Sequence, residues 1–317
     1  PPFSLHGLLM KTGIVIDSAC DLPRSYIDAH QLYILPTSLY CGLRAFIDTR
    51  VPEPTLEFYR QYAAEKNLDA ETEAFSAEQI TQLFLEDLVL KYDRVLVITI
   101  SQTRSLIFRN TTEASFAVLK HYREKRQEAG LSGSFYLNVL DSKTLFTGEG
   151  VLVHEAVRLL EQETSFARLH TLLEELSQHI YAYLIPADLY YVRNRAAKKG
   201  ENTIGLVGYH VGNLLDIKPI IQCHRGDTQV IAKERGFERA LESLLERTQA
   251  AIDKGLAMPL VVASFAGDPR IIRQKRAFME FELYAQNRGI EVLISIMSTT
   301  AGIHVGPGAF SLAYAAR

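Results

Sequence analysis

The chain has 317 residues, enough for two domains of ordinary size, each with its own core. Hydrophobic residues make up 47% and charged residues 22%, which excludes a disordered or fibrous chain. With 34 basic and 37 acidic side chains the net charge is −3, which excludes a nucleic-acid binder that relies on a basic surface.

Cys20, Cys41 and Cys223 form no CxxC pair and no even-numbered framework, so reduced thiols in a cytoplasmic compartment are expected. No apolar run reaches the roughly 18 residues of a membrane span. Pro1 to Leu9 carry neither a positive start nor a long apolar core and are not read as a secretory signal. Met10-Lys11-Thr12 reads as a natural start, and the fold is read from there.

Residues 13–16, ending at Asp17, predict a buried strand. Residues 32–35 and 37–40 predict a second extended stretch, interrupted by Pro36. Residues 94–100 and 135–140 predict a third and a fourth strand, with helical patterns between the strands at 77–90, 110–129 and 148–161. Val- and Ile-rich runs separated by helices point to a parallel sheet covered on both faces, a three-layer α/β domain.

After Gln162-Glu163-Thr164 the pattern changes. A helix at 165–179 leads into a strand at 181–185, and 218–224 with 228–232 predict a β-hairpin turned at Gly226-Asp227. A helix at 237–254, a strand at 260–264, a helix at 268–288 and a strand at 291–297 follow. The last apolar run, 309–316, predicts a strand that closes a mixed sheet. The expected division is an N-terminal α/β domain at 10–163 and a C-terminal α/β domain at 164–317.

Ligands of parallel α/β sheets bind beyond the carboxyl ends of the strands, so the residues there are the informative ones. Asp17-Ser18, the segment from Ser101 to Ser105, and Asp141-Ser142 are polar groups that either cap the next helix or bind an anion. Asp21 before Leu22-Pro23 reads as a helix N-cap with proline in the first turn, and Asp17 is left to orient a partner. Ser76 with Gln79 makes a capping box and is structural, whereas Thr72, on the expected loop just upstream, has no such assignment.

Gly306-Pro307-Gly308 predicts a tight, close-approach backbone. His304 beside it is either a satisfied core histidine or a ring held in a set direction, able to pair with a carboxylate or phosphate near neutral pH. The nine histidines form no HxxxH or HExxH pair, so no metal is expected. Neither GxxxxGK[ST] nor GxGxxG occurs, which argues against nucleotide binding by those routes. Arg193, Arg195, Lys198 and Lys199 form either a solvated helix face or a docking surface for an acidic partner.

Asp17-Ser-Ala-Cys-Asp-Leu-Pro23, Val139-Leu-Asp-Ser142 with Gly148-x-Gly150, Lys218-Pro219, Lys233-x-Arg235-Gly236 and Gly302-Ile-His-Val-Gly-Pro-Gly-Ala309 occur in this order. Together they resemble the DegV family over nearly the whole chain from Lys11. The resemblance implies two α/β domains with a lipid tunnel between them and the binding of one long-chain fatty acid, such as palmitate, stearate or oleate, without a cofactor. Members include the lipid-binding subunit of bacterial fatty acid kinase. That subunit does no chemistry of its own: it presents the carboxylate to a separate ATP-dependent catalytic subunit and holds the acyl-phosphate product.

The family's carboxylate-binding threonine, serine and histidine fall on Thr72, Ser105 and His304. Asp17, Ser18, Ser101, Gly306 and Gly308 are expected to support them. The family's Gly-Thr after the serine is replaced by Leu106-Ile107, and its Gly-Gly-Arg-Ile segment by Arg195-Ala-Ala-Lys198. Two other readings compete. One is a serine hydrolase using Ser105, His304 and an acid such as Asp17, although GxSxG is lacking. The other is a binder of a different small acid, or a regulator, on the same scaffold.

Overall fold

The structure, a computed structural model, describes residues 10–65, 69–199 and 216–317. Its N-terminal half runs β1 (Thr12–Asp17), α1 (Arg24–Ala29), β2 (Tyr33–Leu35), β3 (Thr37–Cys41), β4 (Arg44–Ile47), α2 (Pro52–Ala64) and β5 (Ala70–Ala74). Then come α3 (Ala77–Leu83), a π-helical turn (Phe84–Leu88), α4 (Val89–Lys91), β6 (Arg94–Thr99), α5 (Ile107–Glu128), β7 (Tyr136–Asp141) and α6 (Thr147–Glu161). Strands β2-β1-β6-β7 pair in that order, all parallel, as the buried Val/Ile runs required.

The C-terminal half runs α7 (Phe166–Ser177), β8 (Ile180–Ile185), α8 (Leu189–Lys199), β9 (Ile217–His224), β10 (Asp227–Arg235) and α9 (Phe237–Lys254). It continues with β11 (Leu260–Phe265), α10 (Pro269–Arg273), α11 (Arg276–Gln286), β12 (Glu291–Ile296), α12 (Thr299–Val305) and β13 (Phe310–Ala315). Its sheet is mixed, in the order β10-β9-β8-β13-β11-β12, with only β11 and β12 parallel. The last apolar run is indeed a strand, and it lies in the middle of this sheet.

Helix α6 joins the two sheets. Residues 147–153 are buried all round, and the helix packs on β8, β11 and β13 as well as on β1 and β6. One apolar cluster therefore draws Ile16 and Ile98 from the first sheet, Val151 and Leu152 from α6, and Val262 and Ala313 from the second. Gly150 allows this approach, since a Cβ there would lie 2.6 Å from the Asp21 carbonyl oxygen.

Several local features depart from the sequence reading. The sequence pattern marks no strand or helix at 44–74, yet β4 and β5 pair antiparallel with β3 in a separate sheet of order β4-β3-β5, and α2 starts at Pro52. Thr72 thus sits on a strand, opposite Leu39, and not on a loop. β4 is exposed along its whole length and β5 reads Ala-Glu-Thr-Glu-Ala, so only pairing with β3 makes them strands. The hairpin between β9 and β10 turns on Arg225 (φ 54°) and Gly226 (φ 86°), one residue earlier than expected, because both central positions of such a turn need positive φ. The helix expected at 268–288 is divided at Lys275, whose backbone is extended.

Asp21 does not cap α1. That position belongs to Pro23, and the Asp21 carboxylate is turned inward. The segment carrying His304 is helical: Ser298 caps α12 by accepting from the Ala301 amide at 2.9 Å, and Gly306 ends it at φ 83°. A Cβ at Gly306 would sit 2.2 Å from the Tyr191 ring. Gly306→Ala is accordingly expected to cost at least about 1–3 kcal/mol from backbone strain alone, read as a lowered urea midpoint.

Candidate ligand-binding site

In the first sheet the chain leaves β1 toward β2 on one side and β6 lies on the other, so a switch point opens at the ends of β1 and β6. Asp17, Ala19 and Ile100, at those ends, line a cavity of about 730 Å³. Its other wall is the second sheet. Ala182 and Leu184 on β8, Ile221 and Cys223 on β9, and Thr228 and Val230 on β10 alternate with period two and share one face. Helix α6 covers the β8-β13-β11 part of the second sheet, and the β8-β9-β10 strip faces the cavity instead. Leu106, Ile107, Leu145 and Phe146 oppose that strip, so most of the lining is apolar.

The polar end is built from both halves of the chain. His304 Nε2 and Thr72 Oγ1 lie 3.1 Å apart, joining α12 to β5. Thr300, one helical turn before His304, lines the same cavity and donates its hydroxyl to Asp48 Oδ2 at 2.9 Å. The Thr300 amide donates to that same oxygen at 2.9 Å, and Ser18 Oγ lies 3.0 Å from Thr300 Oγ1. Tyr59 and Tyr62, both on α2, donate to the Ser298 and Ile303 carbonyls, so the short His304 helix is gripped from the N-terminal half. Ser105 lies in the wall at the start of α5, its Oγ accepting from the Ile107 amide at 3.2 Å.

Behind this wall is a buried ionic network. Arg50 Nη1 lies 3.4 Å from Asp21 Oδ1, and Asp21 accepts from Ser264 Oγ at 2.6 Å and the Ser298 amide at 2.9 Å. Asp17 accepts from the amides of Ile100 (2.6 Å) and Ala19 (2.8 Å). Burial nevertheless outweighs those bonds and pushes its carboxyl up to about 6. Glu149, fully buried on α6, is held well above the usual carboxylate range, first by burial and then by the charge of Asp17.

A raised carboxyl pKa favours the fold at low pH. The contribution of Asp17 is fully present below its unfolded value of 3.8 and is lost as pH rises through about 6. Between those values unfolding stability should fall with pH, and Asp17→Asn should flatten part of that slope whatever its offset in stability. Denaturant titrations at a series of pH values check this; an unchanged slope in the variant would contradict it.

The expected site residues separate into two groups. Thr72, Ser105, His304 and Asp17 line the cavity. Ser18 and Ser101 are buried behind it, Ser101 Oγ lying 3.0 Å from Thr103 Oγ1, and Gly306 and Gly308 shape the backbone after α12. Asp141 serves the turns, accepting from the amides of Gln102 and Lys143. Asp17 is committed to backbone amides and does not supply the orienting acid of a hydrolytic triad. Arg193 is half-buried on α8, whereas the side chains of Arg195, Lys198 and Lys199 lie outside the described residues. Among the described residues no group of His, Cys, Asp and Glu is placed to hold a metal ion, and no helix is long and apolar enough to cross a membrane.

Sequence reasoning missed Thr300, Asp48, Arg50 and Tyr59. The i, i+4 spacing of Thr300 and His304 would have linked the first of them to the site had the segment been read as helical.

Comparison with known proteins points the same way. The family model described as DegV matches residues 11–317. A DegV domain-containing protein of Xanthomonas axonopodis pv. citri is 43% identical over 307 residues, covering 97% of this chain and 98% of its own. Among solved structures, a stearic acid-binding protein from Eubacterium ventriosum superposes with a TM-score of 0.77 at 22% identity, over 96% of this chain and 98% of that one. A DegV lipid binding protein from Thermotoga maritima does so with a TM-score of 0.76 at 21% identity, over 97% and 99%.

Proposed function

The chain belongs to the DegV family, and on that footing we propose that it binds one long-chain fatty acid between two domains, at 10–163 and 164–317. The acyl chain lies along the β8-β9-β10 strip, and Thr72, His304 and Ser105 receive the carboxyl group. The observation that carries this reading is the single cavity that joins the apolar strip to the Thr72–His304 pair. Its volume of about 730 Å³ falls within the usual range for small-molecule ligand pockets. Relatives named for stearic acid and lipid binding support the ligand class.

Magnitudes divide the labour. About 15 buried methylenes at ~0.8 kcal/mol each give a gross ~12 kcal/mol before ordering costs, against ~0.5–3 kcal/mol for a hydrogen bond to the head group. The tail therefore sets affinity, and the head group sets orientation.

Native mass spectrometry tests the reading. Protein purified from bacterial cells, or incubated with oleate or palmitate, is expected to carry one fatty acid per chain. Protein that stays ligand-free under both conditions contradicts it.

The further part of the proposal is presentation of the bound carboxylate to a separate ATP-dependent kinase subunit, with the α8 region that contains Arg193 as the docking surface. Family resemblance supports it. Oleate-loaded protein mixed with a bacterial fatty acid kinase catalytic subunit and ATP should yield acyl phosphate, trapped as the hydroxamate; no hydroxamate above the kinase-alone control contradicts it.

A further inference from the structure

The polar end of the cavity has two faces of opposite hydrogen-bonding character. On one, Thr72 Oγ1 and His304 Nε2 lie 3.1 Å apart, and with Nε2 protonated the imidazole donates to Thr72, whose own hydroxyl proton is then available to a ligand. On the other, the proton of Thr300 is committed to Asp48, because a carboxylate oxygen only accepts. Ser18 must then donate its own proton to Thr300 Oγ1. A lone pair is then all that the Thr300 hydroxyl has left for a ligand. An ionised carboxylate carries no proton and has nothing to give such a face, whereas a protonated acid has one O–H to donate and one carbonyl to accept with.

We infer that the protein holds its fatty acid in the neutral, protonated form, with the carbonyl toward Thr72 and His304 and the hydroxyl donated to Thr300 Oγ1.

The charges around the site agree. Asp17 on β1 and Glu73 on β5 are in the wall, and Asp48 and Asp21 stand behind it. The neighbouring thiol of Cys20 and phenol of Tyr59 are both held protonated by burial. Against these carboxyls stands Arg50, spent on Asp21 and the carbonyls of Leu22 and Ile296. Arg104, also in the wall, donates to Thr228 on the hairpin at 2.8 Å, and His304 lines the polar end. A second ionised carboxylate bound to Thr300 meets the like charge of Asp48 at short range.

This inference rests on the fatty-acid reading, and its tests separate the two. With [1-13C]oleate bound, the carboxyl resonance is expected to stay at the protonated position from about pH 6 to pH 8, well above the ordinary carboxyl range. Calorimetry in buffers of different ionisation heat should find about one proton taken up per oleate bound at pH 7. Thr300→Val should weaken oleate about tenfold and leave methyl oleate, which has no acidic proton, unchanged, and Thr300→Ser should restore oleate binding. Bound oleate with an ionised carboxyl shift, or equal losses for oleate and its methyl ester, overturns the inference and leaves the fatty-acid reading standing. Failure of the wild-type protein to bind oleate at all overturns that reading instead.

Discussion

Arg50→Met is expected to destabilise the protein by about 3–5 kcal/mol at pH 7, seen as a large drop in urea midpoint. Arg50 is buried, and it is the cation that faces Asp21, which is fully buried too. Removing one member of a buried pair leaves the other charge uncompensated, and that costs more than the pair contributes as a pair. Its second terminal nitrogen also ties the Leu22 carbonyl to the Ile296 carbonyl, so the same change loosens the junction between the two halves. The Asp21 carboxyl is already raised by burial, and Arg50 is the main influence lowering it. Without Arg50 it should rise further, and protonation at low pH should then relieve part of the penalty. The loss should therefore be larger at pH 8 than at pH 5; a loss below about 1 kcal/mol, or one independent of pH, would contradict this account.

His304→Ala is expected to weaken oleate binding by about 10–100-fold, equivalent to ~1.5–3 kcal/mol for a hydrogen bond to a charged or strongly polar head. Thr72→Val should have a similar effect, since the threonine hydroxyl and the imidazole act through one shared bond. For the same reason the double variant should lose much less than the sum of the two. His304 is only half-buried, so the loss should appear in the oleate titration and hardly in the unfolding midpoint. Additive losses, or a fall in stability large enough to explain the loss of binding, would show that the two residues do not act as one head-group pair.

The parts of the fold that could be read in advance are those whose burial shows in the sequence. β1 and β6 are Val- and Ile-rich because both faces are covered, and the final strand is apolar because it lies in mid-sheet. The small β4-β3-β5 sheet left no such trace. β5 alternates acids with small residues, and its strand character comes from its partner. That is why resemblance picks out Thr72 while the sequence pattern hides the strand that carries it.

His304 stands out beside its Gly-Pro-Gly turn, yet the helix that aims it has seven residues and is stabilised, beyond its own cap Ser298, by Asp48, Tyr59 and Tyr62 from distant parts of the chain. Contacts separated by some 240 residues leave no periodic signal. Asp21 was misread for the same reason: a short acid before Leu-Pro has the form of a cap, and only the folded chain shows Arg50, Ser264 and the Ser298 amide converging on it.

A crystal structure of the protein loaded with oleate is the most direct test of the central claim. One acyl chain is expected along Ala182, Leu184, Ile221 and Val230, with its carboxyl group within hydrogen-bonding distance of Thr72 and His304. Oleate seated elsewhere, or lying with its carboxyl group at the far end of the cavity, would contradict it.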